Sequence, residues 1–233
     1  MIDETSLIYN NISEVKQKIE KAAIRSGRKS EDVTLIAVTK TIEIHSIKIA
    51  VRNGLNNLGE NRVQEICDKY GEISENCNWH LIGNLQTNKV KYIIEKVKLI
   101  HSLDRFELAT EIQKQAEKYG KIIELLVQIN ISGEETKSGI EPQQTREFIK
   151  NISTFNNLKI RGLMTIAPNV VDSESVRHIF RELKKIFIDM KKENIDNVSM
   201  DYLSMGMSND FEVAIEEGAN IVRIGSAIFG KRS

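Results

Sequence analysis

Residues 33–40, VTLIAVTK, form a run of β-branched and aliphatic residues that stops on the amine of Lys40. Two readings stand for that lysine. In one it is a solvated strand end, the ordinary fate of a lysine. In the other it is a nucleophile: burial disfavours the ammonium form, and a neutral amine condenses with an aldehyde. A second set of reactive groups lies near the C-terminus. In SMGMSND, Ser204 and Ser208 offer hydroxyls and Gly206 allows close backbone approach; in RIGS, Gly225 and Ser226 offer amides and a hydroxyl. Such groups cradle anions, phosphate above all, and equally make tight turns of small residues. Other chemistry is poorly supplied. His45, His80, His101 and His178 show no helical i, i+4 pairing, and Cys67 and Cys77 fit no common zinc or redox spacing, so no metal site is expected. Lys89 in GNLQTNK lacks the P-loop pattern, as does SGEETKSG, where Glu135, Lys137 and Gly139 read as ordering a loop.

The elements that must position these groups alternate. Residues 3–25 read as an amphipathic helix, with Leu7, Ile8, Ile12, Val15, Ile19, Ala22 and Ala23 on one face and Gly27 as its stop. Strands are then predicted over 33–40, 56–60, 78–84, 98–104, 122–132, 158–167, 198–208 and 220–230. Helices are predicted between them, over 44–53, 62–70, 86–97, 105–119, from Pro142, over 173–193 and over 210–218. Strand alternating with helix implies a parallel sheet of right-handed units. Eight such strands predict a closed α/β (β/α)8 TIM barrel with an extra N-terminal helix, spanning 1–233 as a single domain. An open doubly wound sheet is the rival; the first strand is not followed by the Gly-x-Gly-x-x-Gly of its dinucleotide-binding form.

The 33 basic and 33 acidic residues balance, so no global field draws the chain to nucleic acid or anionic membrane. No apolar run is long enough to span a bilayer, and the N-terminus does not read as a signal peptide. A cytoplasmic monomer is the expectation.

The barrel reading changes the weight of Lys40. Active sites of such barrels lie at the C-terminal ends of the strands, and phosphate often binds after strands seven and eight. Thr34, Ile36, Val38 and Lys40 share one face of the first strand. If that face points inward, the amine enters the barrel mouth. Closure brings strand eight beside strand one, and with it the SMGMSND and RIGS turns. An aldehyde-reactive lysine beside a phosphate cradle points to pyridoxal 5′-phosphate.

The pieces LIAVTK, LGENRVQE, WHLIGNLQTNK, HSLDR, VQINISGEETKSG, IRGLMTIAP and LSMGMSNDFEVAIEEGANIVRIGSAIFG run through nearly the whole chain. Together they resemble the pyridoxal 5′-phosphate homeostasis protein family and, more distantly, the barrel domain of alanine racemases, the fold type III of pyridoxal phosphate proteins. The resemblance implies that Lys40 carries the cofactor covalently as an aldimine, that Ser208, Gly225, Ser226 and also Ser204 contact its phosphate, and that Arg223 faces the pyridine nitrogen. Arg223 otherwise reads as the partner of a buried carboxylate. For three further candidates both readings stay open. Asn61 is a helix N-cap or a neighbour of the ring, His80 a satisfied core histidine or a wall of the cofactor pocket, and Met164 a core residue or a support beneath the ring.

Three functional classes compete. The resemblance implies a carrier that stores, buffers or delivers pyridoxal phosphate within the cell, possible partners being apo-enzymes that need the cofactor, with little or no turnover of its own. The alternative is a pyridoxal phosphate-dependent amino-acid racemase. Two-base racemisation needs a second proton carrier, which alanine racemases take from a further β domain. Tyr9, Tyr70, Tyr92, Tyr119 and Tyr202 show no matching role. A cofactor-free aldolase, the third class, places its lysine on a later strand.

Overall fold

The structure is a computed structural model that describes residues 3–73, 76–134 and 137–230. Eight parallel strands close in chain order: β1 (Thr34–Val38), β2 (Asn57–Glu60), β3 (Asn78–Leu81), β4 (Val97–Leu103), β5 (Ile123–Gln128), β6 (Leu158–Met164), β7 (Val198–Ser204) and β8 (Ile221–Ile224). Around them run α1 (Glu4–Arg25), α2 (Ile44–Arg52), α3 (Val63–Tyr70), α4 (Phe106–Lys118), α5 (Thr145–Ile152), α6 (Arg177–Lys192), α7 (Phe211–Glu216) and α8 (Ser226–Phe229). The expected barrel with its N-terminal helix is the observed fold.

Alternation along the strands sorts side chains into two layers. Ile36, Leu99, Leu126, Met164 and Ile221 pack inside the barrel. Their chain neighbours Ala37, Ile100, Leu125 and Leu163 face the helices. The inward assignment of Ile36 therefore holds, and β8 closes against it with Ile36 opposite Arg223 and Thr34 opposite Ile221. Outside, α1 buries Ile8, Ile12, Val15, Ile19, Ala22 and Ala23 and lies against α2, α7 and α8. Leu7, expected on that face, is 46% exposed. Asp3 caps α1 by accepting from the Ser6 amide at 2.6 Å.

Several expected elements differ. Between β3 and β4 the chain forms a 3-10 helix, Thr87–Tyr92, rather than an α-helix. Val90 and Ile93, three residues apart, are both buried, a spacing that a three-residue turn stacks on one face. The strand expected over 220–230 stops at Ile224, and α8 follows directly. Strands β1, β3, β5, β6 and β7 stop short of their expected ends, because buried residues such as Thr39, Thr165 and Met205 continue past the last strand position into the loops. In the loop after β5, Asn130 Nδ2 donates to the carbonyls of Glu134 and Lys137; Glu135 lies outside the described residues. Among the described residues no helix is long and apolar enough to cross a membrane.

Candidate functional site

Lys40 sits two residues beyond the end of β1, in a turn at the C-terminal mouth of the barrel. The backbone on both sides of it is held by α3. Lys69 Nζ donates to the Thr39 carbonyl at 2.8 Å and to Glu60 Oε1 at 2.8 Å, and also reaches Glu65 Oε2 at 2.9 Å. Glu65 Oε2 in turn accepts from the Thr41 amide at 2.7 Å. Thr39 Oγ1 donates to Glu60 Oε1 at 2.6 Å. Thr41 has φ 61°, a left-handed backbone that costs a β-branched residue energy and needs such anchors. Glu60 is wholly buried, and burial raises its carboxyl against the opposing pull of Lys69 and Thr39.

The opposite wall is made after β7 and β8. Gly206 turns with φ 94°, and a Cβ there would meet Ala214 Cβ at 2.6 Å, so only glycine lets this turn lie against α7. Ser208 Oγ accepts from the amides of Gly225 and Ala227 at 3.3 and 3.4 Å. A Cβ on Gly225 would approach Val38 at 3.3 Å, so this glycine keeps the turn close to β1. Arg223, 3% exposed, donates to Ser204 Oγ at 2.6 Å and to the Thr165 carbonyl at 2.9 Å. Burial lowers its guanidinium to about 10, with the Asp210 charge opposing, so it stays charged at neutral pH.

One cavity of about 590 Å³ at this mouth is lined by Lys40, Asn61, Ser208, Arg223, Gly225 and Ser226. Six expected residues therefore share one wall system. Asn61 is not the N-cap of α3, a position held by Arg62, which removes the capping reading. Three expected residues do not line the cavity. Met164 packs in the apolar layer inside the barrel. Ser204 is buried and engaged by Arg223, so it is not exposed to an anion in the turn. His80 bonds His101 at 3.0 Å and Asn57 at 3.3 Å within the interior, the core-histidine reading. Arg223 pairs with neutral oxygens rather than with a carboxylate at contact distance.

Asn169, Asn209 and Asp210 also line the mouth and were not singled out from sequence. Asp210 Oδ1 accepts from the Met207 amide at 2.5 Å; the signal for it was an Asp immediately before a short helix. A cavity of this volume with a few convergent polar groups suits a small ligand. An amine, a buried guanidinium and a turn of hydroxyl and amide donors suit an aldehyde that also carries an anion.

The family model for the alanine racemase N-terminal domain matches residues 7–233. The pyridoxal phosphate homeostasis protein of Aquifex aeolicus is 47% identical over 222 residues, covering 95% of this chain and 96% of that protein. The protein of the same name from Escherichia coli K12 is 39% identical over 232 residues, covering 97% of each. Among solved structures, PipY of Synechococcus elongatus with pyridoxal phosphate bound superposes with a TM-score of 0.83 at 29% identity, over 96% of this chain and all of that one. An alanine racemase of Clostridium difficile superposes with a TM-score of 0.76 at 15% identity, over 97% of this chain and 57% of that one, a likeness of fold.

Proposed function

Since the chain belongs to the alanine racemase N-terminal domain family, and within it to the pyridoxal phosphate homeostasis proteins, we propose that it holds pyridoxal 5′-phosphate at the barrel mouth as a carrier and not as a turnover enzyme. The observation that carries this reading is the convergence of Lys40, Arg223 and the Ser208–Gly225–Ser226 turns on one cavity. When bound, the cofactor supplies an aldehyde that a lysine amine condenses with, and an anion.

Each residue has a task in this reading. Lys40 would offer its amine to the aldehyde, and the clamp from α3 holds its backbone in place. Ser208, with the amides of Gly225 and Ser226, takes the phosphate. Arg223 cannot readily release its proton, so it would hold the ring by donating to its nitrogen without protonating it. An unprotonated ring withdraws electrons weakly, and amino-acid carbanions gain little from it. Asn61 lines the same cavity and would contact the bound cofactor. The racemase alternative needs a proton donor on the face opposite Lys40, and among the described residues no tyrosine lines the mouth cavity.

Two measurements test the reading. Titration should show pyridoxal phosphate binding far more tightly than pyridoxal, and Ser208→Ala should narrow that gap, since a charge-assisted hydrogen bond contributes roughly 1.5–3 kcal/mol. Equal affinities would contradict the phosphate turn. Incubation of the holo-protein with L- and D-amino acids in deuterated water should give no enantiomer at enzymatic rates. Racemisation at on the order of 1–1,000 per second would replace the carrier with the racemase.

A further inference from the structure

Below the mouth, a row of buried polar side chains crosses the barrel interior from β8 to β2. Arg223 Nη1 donates to Ser204 Oγ at 2.6 Å. Ser204 Oγ lies 3.0 Å from His101 Nδ1. His101 Nε2 lies 3.0 Å from His80 Nδ1, and His80 Nε2 lies 3.3 Å from Asn57 Oδ1. Asn57 Oδ1 also accepts from Asn78 Nδ2 at 3.1 Å. His80, His101, Ser204 and Arg223 are all at most 4% exposed.

With both rings neutral and Asn57 Oδ1 facing His80, the Asn57 end orders the protons along this row. A guanidinium only donates, and an amide oxygen only accepts. His80 Nε2 therefore carries the hydrogen that faces Asn57, which leaves His80 Nδ1 as an acceptor. His101 Nε2 must then donate to it, and His101 Nδ1 accepts the Ser204 hydroxyl proton. All hydrogens point from Arg223 toward Asn57, and both imidazoles are neutral with hydrogen on Nε2. Burial inside the barrel disfavours a charge on either ring and so keeps both in the neutral form that this polarity needs. Burial, with Lys98 adding, lowers His80 to about 3, and burial, with His80 and Arg223 adding, lowers His101.

We propose that Asn57, His80, His101 and Ser204 are positioning residues for Arg223. Their hydrogen-bond chain of single polarity, together with the Thr165 carbonyl, holds the guanidinium and turns its remaining N–H edge to the mouth cavity. Every partner along the chain is neutral, and among the described residues no carboxylate hydrogen-bonds the guanidinium; Asp210 acts on it only through its charge. That charge is left for the ligand. The functional meaning of this device rests on the cofactor reading above; the chain itself does not. Sequential hydrogen bonds also polarise one another, so a break at His80 is felt at Ser204.

The test has two arms. The ligand-free protein labelled with ¹⁵N in histidine should show His80 and His101 with protonated Nε2 and bare Nδ1, unchanged from pH 6 to pH 8. Hydrogen on Nδ1 of either ring, or titration of either within that range, overturns the proposal. In the second arm, pyridoxal phosphate is titrated into the wild type, Ser204→Ala, Arg223→Met and the double variant. Ser204→Ala should weaken binding about tenfold, the scale of one hydrogen bond to a charged group, and displace the cofactor absorption band. Ser204→Thr, which keeps the hydroxyl, should restore both. In the Arg223→Met background Ser204→Ala should change nothing, because it acts through Arg223. Equal losses in both backgrounds overturn the positioning role. A wild type that bound no pyridoxal phosphate would sink the proposed function alone, and the histidine spectra would still decide the chain.

Discussion

At the scale of single residues, a neutral imidazole inside the barrel has a thermodynamic signature. His80 is lowered to about 3 by burial, whereas an unfolded histidine titrates near its ordinary value of about 6.5. Between those values the unfolded chain binds the extra proton, so stability rises with pH. The contribution is fully present above about 6.5 and is lost as pH falls toward about 3. From pH 7 to pH 5 the loss is about 2 kcal/mol for one such histidine, and His101 adds in the same direction. Urea unfolding at the two pH values measures it. Equal stabilities would show that His80 is not held neutral. Neither imidazole's partner was legible in the sequence. Lone histidines at 80 and 101 lie on adjacent strands, and only the β3–β4 pairing sets the facing nitrogens of their rings 3.0 Å apart. Ser204 was misread for a related reason: it stands in an anion-binding kind of turn, yet as the last residue of β7 its side chain points inward to Arg223.

At the scale of elements, the segment that carries Lys40 is only as rigid as its tie to α3. Lys69 is the centre of that tie, since one ammonium serves the Thr39 carbonyl, Glu60 and Glu65. Replacing Lys69 with Met leaves Glu60 buried without its counter-charge, a change that costs about 3–5 kcal/mol when a buried pair is broken. Chemical denaturation should show that loss for Lys69→Met, and Glu60→Gln in the same chain should recover most of it. A loss under about 1 kcal/mol, the value of an exposed pair, would contradict the clamp. The same variant should also bind pyridoxal phosphate more weakly, through the displaced turn at Thr41. This tie could not be read from sequence, because Glu60, Glu65 and Lys69 are ordinary charged residues whose burial depends on how α3 docks. Strand and helix order was legible, since apolar runs alternate with amphipathic ones. The Val90–Ile93 segment was not, because three apolar residues in four fit either an α-turn or a 3-10 turn.

At the scale of the whole molecule, closure of the barrel is what makes a site. Lys40 and the Ser208–Gly225 turns lie more than half the chain apart, and β8 pairing with β1 sets them on one cavity. That closure was legible as a count of strands with intervening helices, and the mouth followed from it. The layer beneath the mouth did not follow, because a strand pattern says which residues face inward but not which of those meet. The N-terminal helix has a whole-molecule task as well, joining α2 to α7 and α8 from the two ends of the chain. The central claim is that Lys40 holds the cofactor by a covalent bond at this mouth. Pyridoxal phosphate should be added to the protein, reduced with borohydride, and the digested peptides weighed. The account predicts the added mass on the peptide containing Lys40 and its loss in Lys40→Ala. Label on another lysine alone, with Lys40→Ala fully labelled, would contradict it.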